Sequence, residues 1–237
     1  MSSNIFITGT SKGLGSGFAE YYLEKGDRVF GLSRSAAPQL DTQENYTHTL
    51  SDVSDFDQIK ENIQSLLSGV DHLQVVILNA GILGEIKGIT EASISEMKEV
   101  MDINLWANKI ILDTLYEMGI EVNQVVVISS GASINGNKGW SGYSISKAAV
   151  NMLVKLYAAE YPSTHYTALA PGLIDTGMQD YLCEVVDHDK FPSMQRLKEA
   201  RGTDVMPKPK EAAKRIGDII PALLMTPNGS YEDVRKL

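Results

Sequence analysis

Apolar, β-branched runs alternate with stretches of helical periodicity along almost the whole chain. "NIFITG" (4–9) has the length and composition of a buried strand. The segment after it, "GSGFAEYYLEKG", sets Phe18, Tyr22 and Leu23 on one side of a helix that stops at Gly26. "RVFGLS" (28–33) predicts a second strand and the weakly alternating "YTHTL" (46–50) a third. Ser54 and Asp57 form an S-x-x-D capping pattern before a helix with Phe56, Ile59, Ile63 and Leu66 at helical spacing. "QVVILNAG" (74–81) and "QVVVISS" (124–130) read as buried strands. Between them a long helical region, about 91–118, turns Ile94, Met97, Met101, Leu105, Ile111 and Leu115 inward. A helix over 143–160 ends before Pro162, "HYTALAPG" (165–172) is a strand, 209–225 is a helix with Pro209 near its start, and "SYEDV" closes as a short strand.

Strands that alternate with helices are joined by right-handed crossovers into a parallel sheet covered on both faces. The pattern therefore predicts one α/β domain over 1–237: a doubly wound parallel sheet of about seven strands. Such sheets bind ligands at the carboxyl ends of their strands, and the unusual residues of this chain follow Ile7, Ser33, Leu50, Leu78, Ile128 and Ala170, all at those ends.

Composition narrows the class. The chain has 237 residues, 43% hydrophobic and 22% charged, with a net charge of −9. A surface this acidic argues against nucleic acid and anionic membranes as partners. No apolar run reaches the roughly 18 residues of a membrane span. Cys183 stands alone, so no internal disulfide forms, and His48, His72, His165 and His188 show no metal-ligand spacing. A cytoplasmic protein without a metal site is expected.

The candidate chemistry begins in "TGTSKGLG" (8–15), between the first strand and the first helix. Gly9, Gly13 and Gly15 clear side chains from a turn that approaches a ligand, and Ser11, Lys12 and Leu14 complete the loop. The helix end beyond offers free N–H groups to a pyrophosphate. The spacing is G-xxx-G-x-G instead of G-x-G-x-x-G. Ser33 and Arg34 stand at the end of the second strand, where an acidic residue favours a ribose 2′-hydroxyl and an arginine a 2′-phosphate. With Lys12 they converge on that phosphate, so NADP(H) is expected over NAD(H); the alternative leaves both cations as solvated charges.

"SGYSISKAA" (141–149) places Tyr143 and Lys147 four residues apart, side by side on a helix. An ammonium held against a phenol is expected to lower the tyrosine pKa from its ordinary value of roughly 10.

Taken together, "TGTSKGLG", Asp52, "NAG" (79–81), Asn104, "ISS" (128–130), "YSISK" (143–147), "PG" (171–172) and Thr176 make the chain resemble the classical short-chain dehydrogenase/reductase family of Rossmann-fold enzymes. "GNKGWSGYSISK" (136–147) and "APGLIDTGMQ" (170–179) look similar to its sepiapterin reductase and benzil reductase branch. The resemblance implies roles. Asp52 and Val53 contact the adenine. Asn79, Ala80 and Gly81 line the adenosine ribose. Pro171, Gly172, Leu173, Ile174 and Thr176 wrap the carboxamide, and Lys147 binds the nicotinamide ribose. Tyr143 is the general acid, Ser130 orients the carbonyl with Ser129 as the competing choice, and Asn104 holds a water in a proton relay.

The expected reaction is hydride transfer from NADPH to a ketone, dicarbonyl or pterin-like carbonyl. Trp140 and Met178 wall the substrate, Asp233 matches a pterin-anchoring aspartate, and residues 173–208 form a lid with Tyr181, Leu182, Phe191 and Met194. A homodimer or homotetramer through the long helices follows from the family, with Leu105, Ile110, Met152 and Tyr157 facing a partner; the pattern alone could equally serve the core. Two alternatives stay open: an NADP-binding sensor or scaffold, and an alcohol dehydrogenase running oxidatively.

Overall fold

The computed structural model describes residues 2–237. Seven parallel strands lie in the order β3-β2-β1-β4-β5-β6-β7. They are β1 (Asn4–Thr8), β2 (Arg28–Ser33), β3 (Tyr46–Leu50), β4 (His72–Leu78), β5 (Glu121–Ile128), β6 (His165–Ala170) and β7 (Ser230–Asp233). The helices are α1 (Gly13–Glu24), α2 (Phe56–Leu66), α3 (Ile94–Met101), α4 (Ala107–Glu117), α5 (Ser141–Glu160), α6 (Gly177–Asp180), α7 (Ser193–Ala200) and α8 (Pro209–Ile219). This is the doubly wound Rossmann sheet the alternating pattern predicts.

Side chains alternate along each strand, so the two faces of the sheet carry separate cores. Phe6, Val76, Leu78, Val125 and Val127 pack on one face with Ile59 and Ile63 of α2, Ile111 and Leu115 of α4 and Val150 and Val154 of α5. Ile5, Ile7, Val75, Ile77, Val126 and Ile128 pack on the other with Phe18 and Tyr22 of α1 and Ala213 and Ile216 of α8. Burying both faces explains why these strands read as unbroken apolar runs.

Local chemistry shifts several expected boundaries. Ser54 does not cap α2: its N–H and hydroxyl both go to Asp52 Oδ1, at 2.9 and 2.7 Å, and Asp55 accepts from Gln58 N instead. The long helix begins at Ile94, set by a reciprocal capping box between Ser93 and Glu96. Ile94 itself is 69% exposed, not inward, since it opens the first turn of α3 directly after the Ser93 cap. Between α3 and α4 the ladder widens into one π-helical turn over Asp102–Trp106, which holds Asn104. Beyond α8, Ile220–Met225 tightens into a 3₁₀ turn around Pro221.

Leu105 and Tyr157, expected at a partner surface, belong to the core of this chain, whereas Met152 is 55% exposed. Among the described residues no helix is long and apolar enough to cross a membrane.

Candidate active site

A crevice of about 730 Å³ runs along the carboxyl ends of the strands. Its floor at one end is the β1–α1 turn. The N-terminus of α1 has no side-chain cap, leaving its first N–H groups to the crevice. Gly9 has φ +79°, a conformation that favours glycine. Gly15 is required by space: a Cβ there would strike the Gly9 carbonyl oxygen and lie 2.5 Å from Asn79 Nδ2. The turn is tied to β4, since Thr8 Oγ1 accepts from the backbone N–H groups of Asn79 and Ala80, each at 3.0 Å, and Asn79 Nδ2 donates to Thr8 O. A cradle shaped by absent side chains, with free donors at a helix end, fits a pyrophosphate.

Gly15→Ala therefore tests the cradle. The added methyl forces backbone apart and is expected to cost about 1–3 kcal/mol, a fall in Tm of about 3–10 °C for a chain this long. Dinucleotide binding, followed by titration, is expected to weaken with it; unchanged binding and Tm would show that the turn has slack.

Lys12, Ser33, Arg34, Asp52 and Val53 line the same end. Arg34 Nη1 lies 3.9 Å from Asp52 Oδ2, and both side chains are well exposed. Bonds from the Ser54 backbone hold the Asp52 carboxyl below its usual range, with Arg34 adding to the effect. Ser33 differs from expectation. Its hydroxyl donates to Ser35 O at 2.9 Å and lies 2.8 Å from His48 Nε2, so it is occupied within the protein and not free to meet a phosphate.

At the centre of the crevice stand Ser130, Tyr143 and Lys147, with Asn79, Ala80, Gly81, Pro171, Gly172, Leu173, Ile174 and Thr176 beside them. The Ser130 hydroxyl, which accepts from Ala132 N at 3.1 Å, stands close enough to the Tyr143 phenol to bear on its pKa. Ser129 resolves as the other serine's support: its hydroxyl donates to Asn151 Oδ1 at 2.6 Å, Asn151 holds Ser133 Oγ, and Ser133 Oγ donates to Ser130 O.

The electrostatics correct the expected effect of Lys147 on Tyr143. Burial pushes the phenol above its ordinary value, and the Ser130 hydroxyl opposes this without reversing it. The Lys147 ammonium is 5.8 Å from the Tyr143 ring centroid and donates to Ile128 O at 2.7 Å. Burial in turn brings the lysine down to about 8. Desolvation opposes the charged form of each group and decides the direction of both shifts.

Asn104 is fully buried and does not line the crevice. Its Oδ1 accepts from Ile82 N at 2.8 Å, and its Nδ2 donates to Ile82 O and to Ser146 Oγ. Ser146 Oγ donates to Tyr143 O. Asn104 thus braces the β4 exit against the helix turn that carries Tyr143. Asn104 lies within the π-helical turn, whose Ile103, Asn104 and Leu105 are all buried.

Residues 173–208 form the apolar end. Leu182, Phe191, Met194 and Leu197 pack with Leu83 and Ile86, and Trp140, Tyr143, Met178 and Tyr181 lie against them. Trp140 Nε1 donates to Ser193 Oγ at 3.1 Å, and Tyr181 Oη accepts from Ile86 N. Arg201, on the crevice wall, gathers Asp175, Asp180 and Glu184, while Lys208 also pairs with Asp175. Sequence reasoning did not single out these residues; the only signal was the charge density of the segment.

Asp233 is not in the crevice lining. Its carboxylate accepts from Arg235 N at 3.0 Å and pairs with the Arg235 guanidinium, which holds it below its usual range and keeps it 5% exposed. It serves the turn after β7.

The sequence matches the family described as short chain dehydrogenase over residues 3–185. The chain is 30% identical over 243 residues to a benzil reductase ((S)-benzoin forming) of Bacillus subtilis, covering 97% of each. It is 35% identical over 184 residues to an uncharacterized oxidoreductase of Schizosaccharomyces pombe, covering 74% of this chain and 72% of that one. A short chain dehydrogenase/reductase structure from Saccharomyces cerevisiae superposes with a TM-score of 0.87 at 22% identity, over 98% of this chain and 96% of that one.

Proposed function

The chain is an oxidoreductase that belongs to the short chain dehydrogenase family, and within it we propose an NADPH-dependent reductase of apolar, aromatic carbonyl compounds. One observation carries the reading: Ser130 and Tyr143 share a single crevice with a glycine cradle and Arg34 at one end and an apolar wall at the other. The glycine turn, Arg34, Asp52, Val53 and the 171–176 segment would hold the dinucleotide, whose nicotinamide supplies the hydride when bound. Tyr143 gives its proton to the carbonyl oxygen. A raised pKa suits this role, since the phenol keeps its proton until charge develops on the substrate. Ser130 hydrogen-bonds the same oxygen and stabilises that charge. Lys147 stays largely cationic at neutral pH and adds a positive field from the crevice floor. Asn104 acts as a brace for Tyr143, and the relay water assigned to it finds one remaining Oδ1 lone pair.

Trp140, Met178 and Leu182 present hydrocarbon to the substrate, and Arg201 is already matched by three carboxylates. Among the described residues, the cations lining that end, Arg201 and Lys208, are both paired with carboxylates, so benzil-like dicarbonyls and aryl ketones fit better than keto acids. The benzil reductase relatives agree with that class. Residues 173–208 act as the lid, and a homodimer or homotetramer through α4 and α5 belongs to the same reading.

The test follows NADPH and NADH consumption with benzil, aryl ketones, quinones, sepiapterin and a keto acid. Turnover of benzil or an aryl ketone is expected, with NADPH favoured by about 10–100-fold over NADH, the worth of one charge-assisted contact of roughly 1.5–3 kcal/mol. Tight NADPH binding with no turnover on any of them would favour a non-catalytic sensor. Equal rates with NADH would remove the 2′-phosphate assignment.

A further inference from the structure

We propose that His48 is a positioning residue for recognition of the cofactor's 2′-phosphate, acting through Ser33 on the Ser33–Ser35 turn that presents Arg34; this rests on the NADPH reading above. The geometry behind it is a closed hydrogen-bond chain beneath the adenosine end of the crevice. Tyr46 Oη donates to Thr10 Oγ1 at 2.8 Å. Thr10 Oγ1 lies 3.5 Å from Ser33 Oγ. Ser33 Oγ, in a residue only 4% exposed, donates to Ser35 O and lies 2.8 Å from His48 Nε2.

The proton count fixes every direction. A serine hydroxyl has one hydrogen. Spending it on the Ser35 carbonyl requires His48 Nε2 to be the donor, and Tyr46 donating to Thr10 leaves the Thr10 hydrogen for Ser33. Ser33 then accepts two bonds and donates one, which saturates it. The hydroxyl cannot turn to a phosphate without giving up the Ser35 carbonyl. What it does instead is pin both ends of a three-residue turn whose middle residue is Arg34.

His48 is the outermost support of this chain. It sits opposite Gly31 in the β2–β3 register, and its ring stacks on Tyr46 with centroids 5.8 Å apart and planes 16° from parallel. Gly31 is what admits the Tyr46 hydroxyl: a Cβ there would lie 2.8 Å from Thr10 Oγ1. Desolvation moves His48 below its ordinary pKa, with Asp41 opposing, which keeps the ring a neutral donor at physiological pH. Removing the donor leaves the Ser33 hydroxyl held by Ser35 O and a 3.5 Å contact with Thr10 alone, so the turn is held less tightly. Among the described residues, Arg34's other tether is a 3.9 Å approach to Asp52. A looser turn penalises contacts to the 2′-phosphate and leaves the rest of the nucleotide untouched.

The experiment measures binding by calorimetry, with 2′,5′-ADP and 5′-AMP as probes, in His48→Phe, His48→Gln, Ser33→Ala and the double variant Ser33→Ala/His48→Phe. Phenylalanine keeps a ring against Tyr46 and removes the donor; glutamine restores an N–H. His48→Phe is expected to weaken 2′,5′-ADP about tenfold with 5′-AMP within about twofold, and His48→Gln to recover most of the loss. Ser33→Ala is expected to match His48→Phe, and the double variant to be no weaker than Ser33→Ala alone, since both act on one element. Equal weakening of both probes, unchanged binding in His48→Phe, or additive losses in the double variant would overturn the assignment. Wild-type protein that binds 2′,5′-ADP no more tightly than 5′-AMP would instead bring down the NADPH reading itself, and the His48 role with it.

Discussion

Tyr143→Phe is expected to lower kcat for carbonyl reduction by about 10³-fold, within the 10²–10⁴ that a positioned general acid supplies. The substitution deletes one oxygen. The ring keeps its place beside Trp140, 5.9 Å between centroids, and the helix turn keeps its Ser146 brace. Removing the desolvated hydroxyl also removes a burial cost, which offsets the lost contact with Ser130, so the stability cost stays near or below about 1 kcal/mol. NADPH affinity is expected within about threefold of wild type, because the dinucleotide end lies on other elements. The checks are steady-state kinetics on the best carbonyl substrate and a fluorescence titration of NADPH. A variant that retains more than a tenth of wild-type kcat would remove Tyr143 from the acid role. Loss of NADPH binding together with activity would mean that the tyrosine holds the cofactor and not the proton.

The sheet was readable because burial on both faces writes itself into continuous runs such as "QVVVIS", and the crevice because its parts sit at strand ends. Residues whose role is set by a neighbour far along the chain were not. Ser33 looks like a ligand from its place after β2, yet His48, fifteen positions on, claims its hydroxyl. Arg201 meets carboxylates 17 to 26 residues away. Asp233 shows the opposite failure: its partner is two residues off, but only the turn after β7 brings Arg235 back over it. Asn104 was found by its place in the long helix, while its use as a brace depends on a π-helical turn for which the sequence carries no periodic signal. Desolvation is likewise invisible in spacing. The i, i+4 rule places Tyr143 and Lys147 together, but the sign of each one's net shift depends on how much water the fold removes.

That sign has a measurable consequence at Lys147. The side chain is 4% exposed, and burial brings its pKa from 10.5 to about 8. If the ammonium supports catalysis, kcat/KM for reduction is level below neutral pH and falls about tenfold per unit once pH rises well past 8. Lys147→Met is expected to lose about 10²–10³-fold in kcat/KM, as for a preorganised charge removed from a site, and to lose this alkaline limb. Stability runs the other way. Between pH 8 and 10.5 the unfolded chain holds a proton on this lysine that the folded chain has released. Folding is therefore favoured as pH rises through that window, and the cost of burying the charge is fully present below about 8. Lys147→Met escapes that cost, though it leaves the Ile128 carbonyl without its donor. Relative to wild type, the Tm of Lys147→Met in the absence of cofactor is expected to be most favourable near pH 7 and to lose ground steadily toward pH 10. A Tm difference that stays constant with pH would show that Lys147 titrates alike in both states, and the alkaline fall in activity would then have to come from another group.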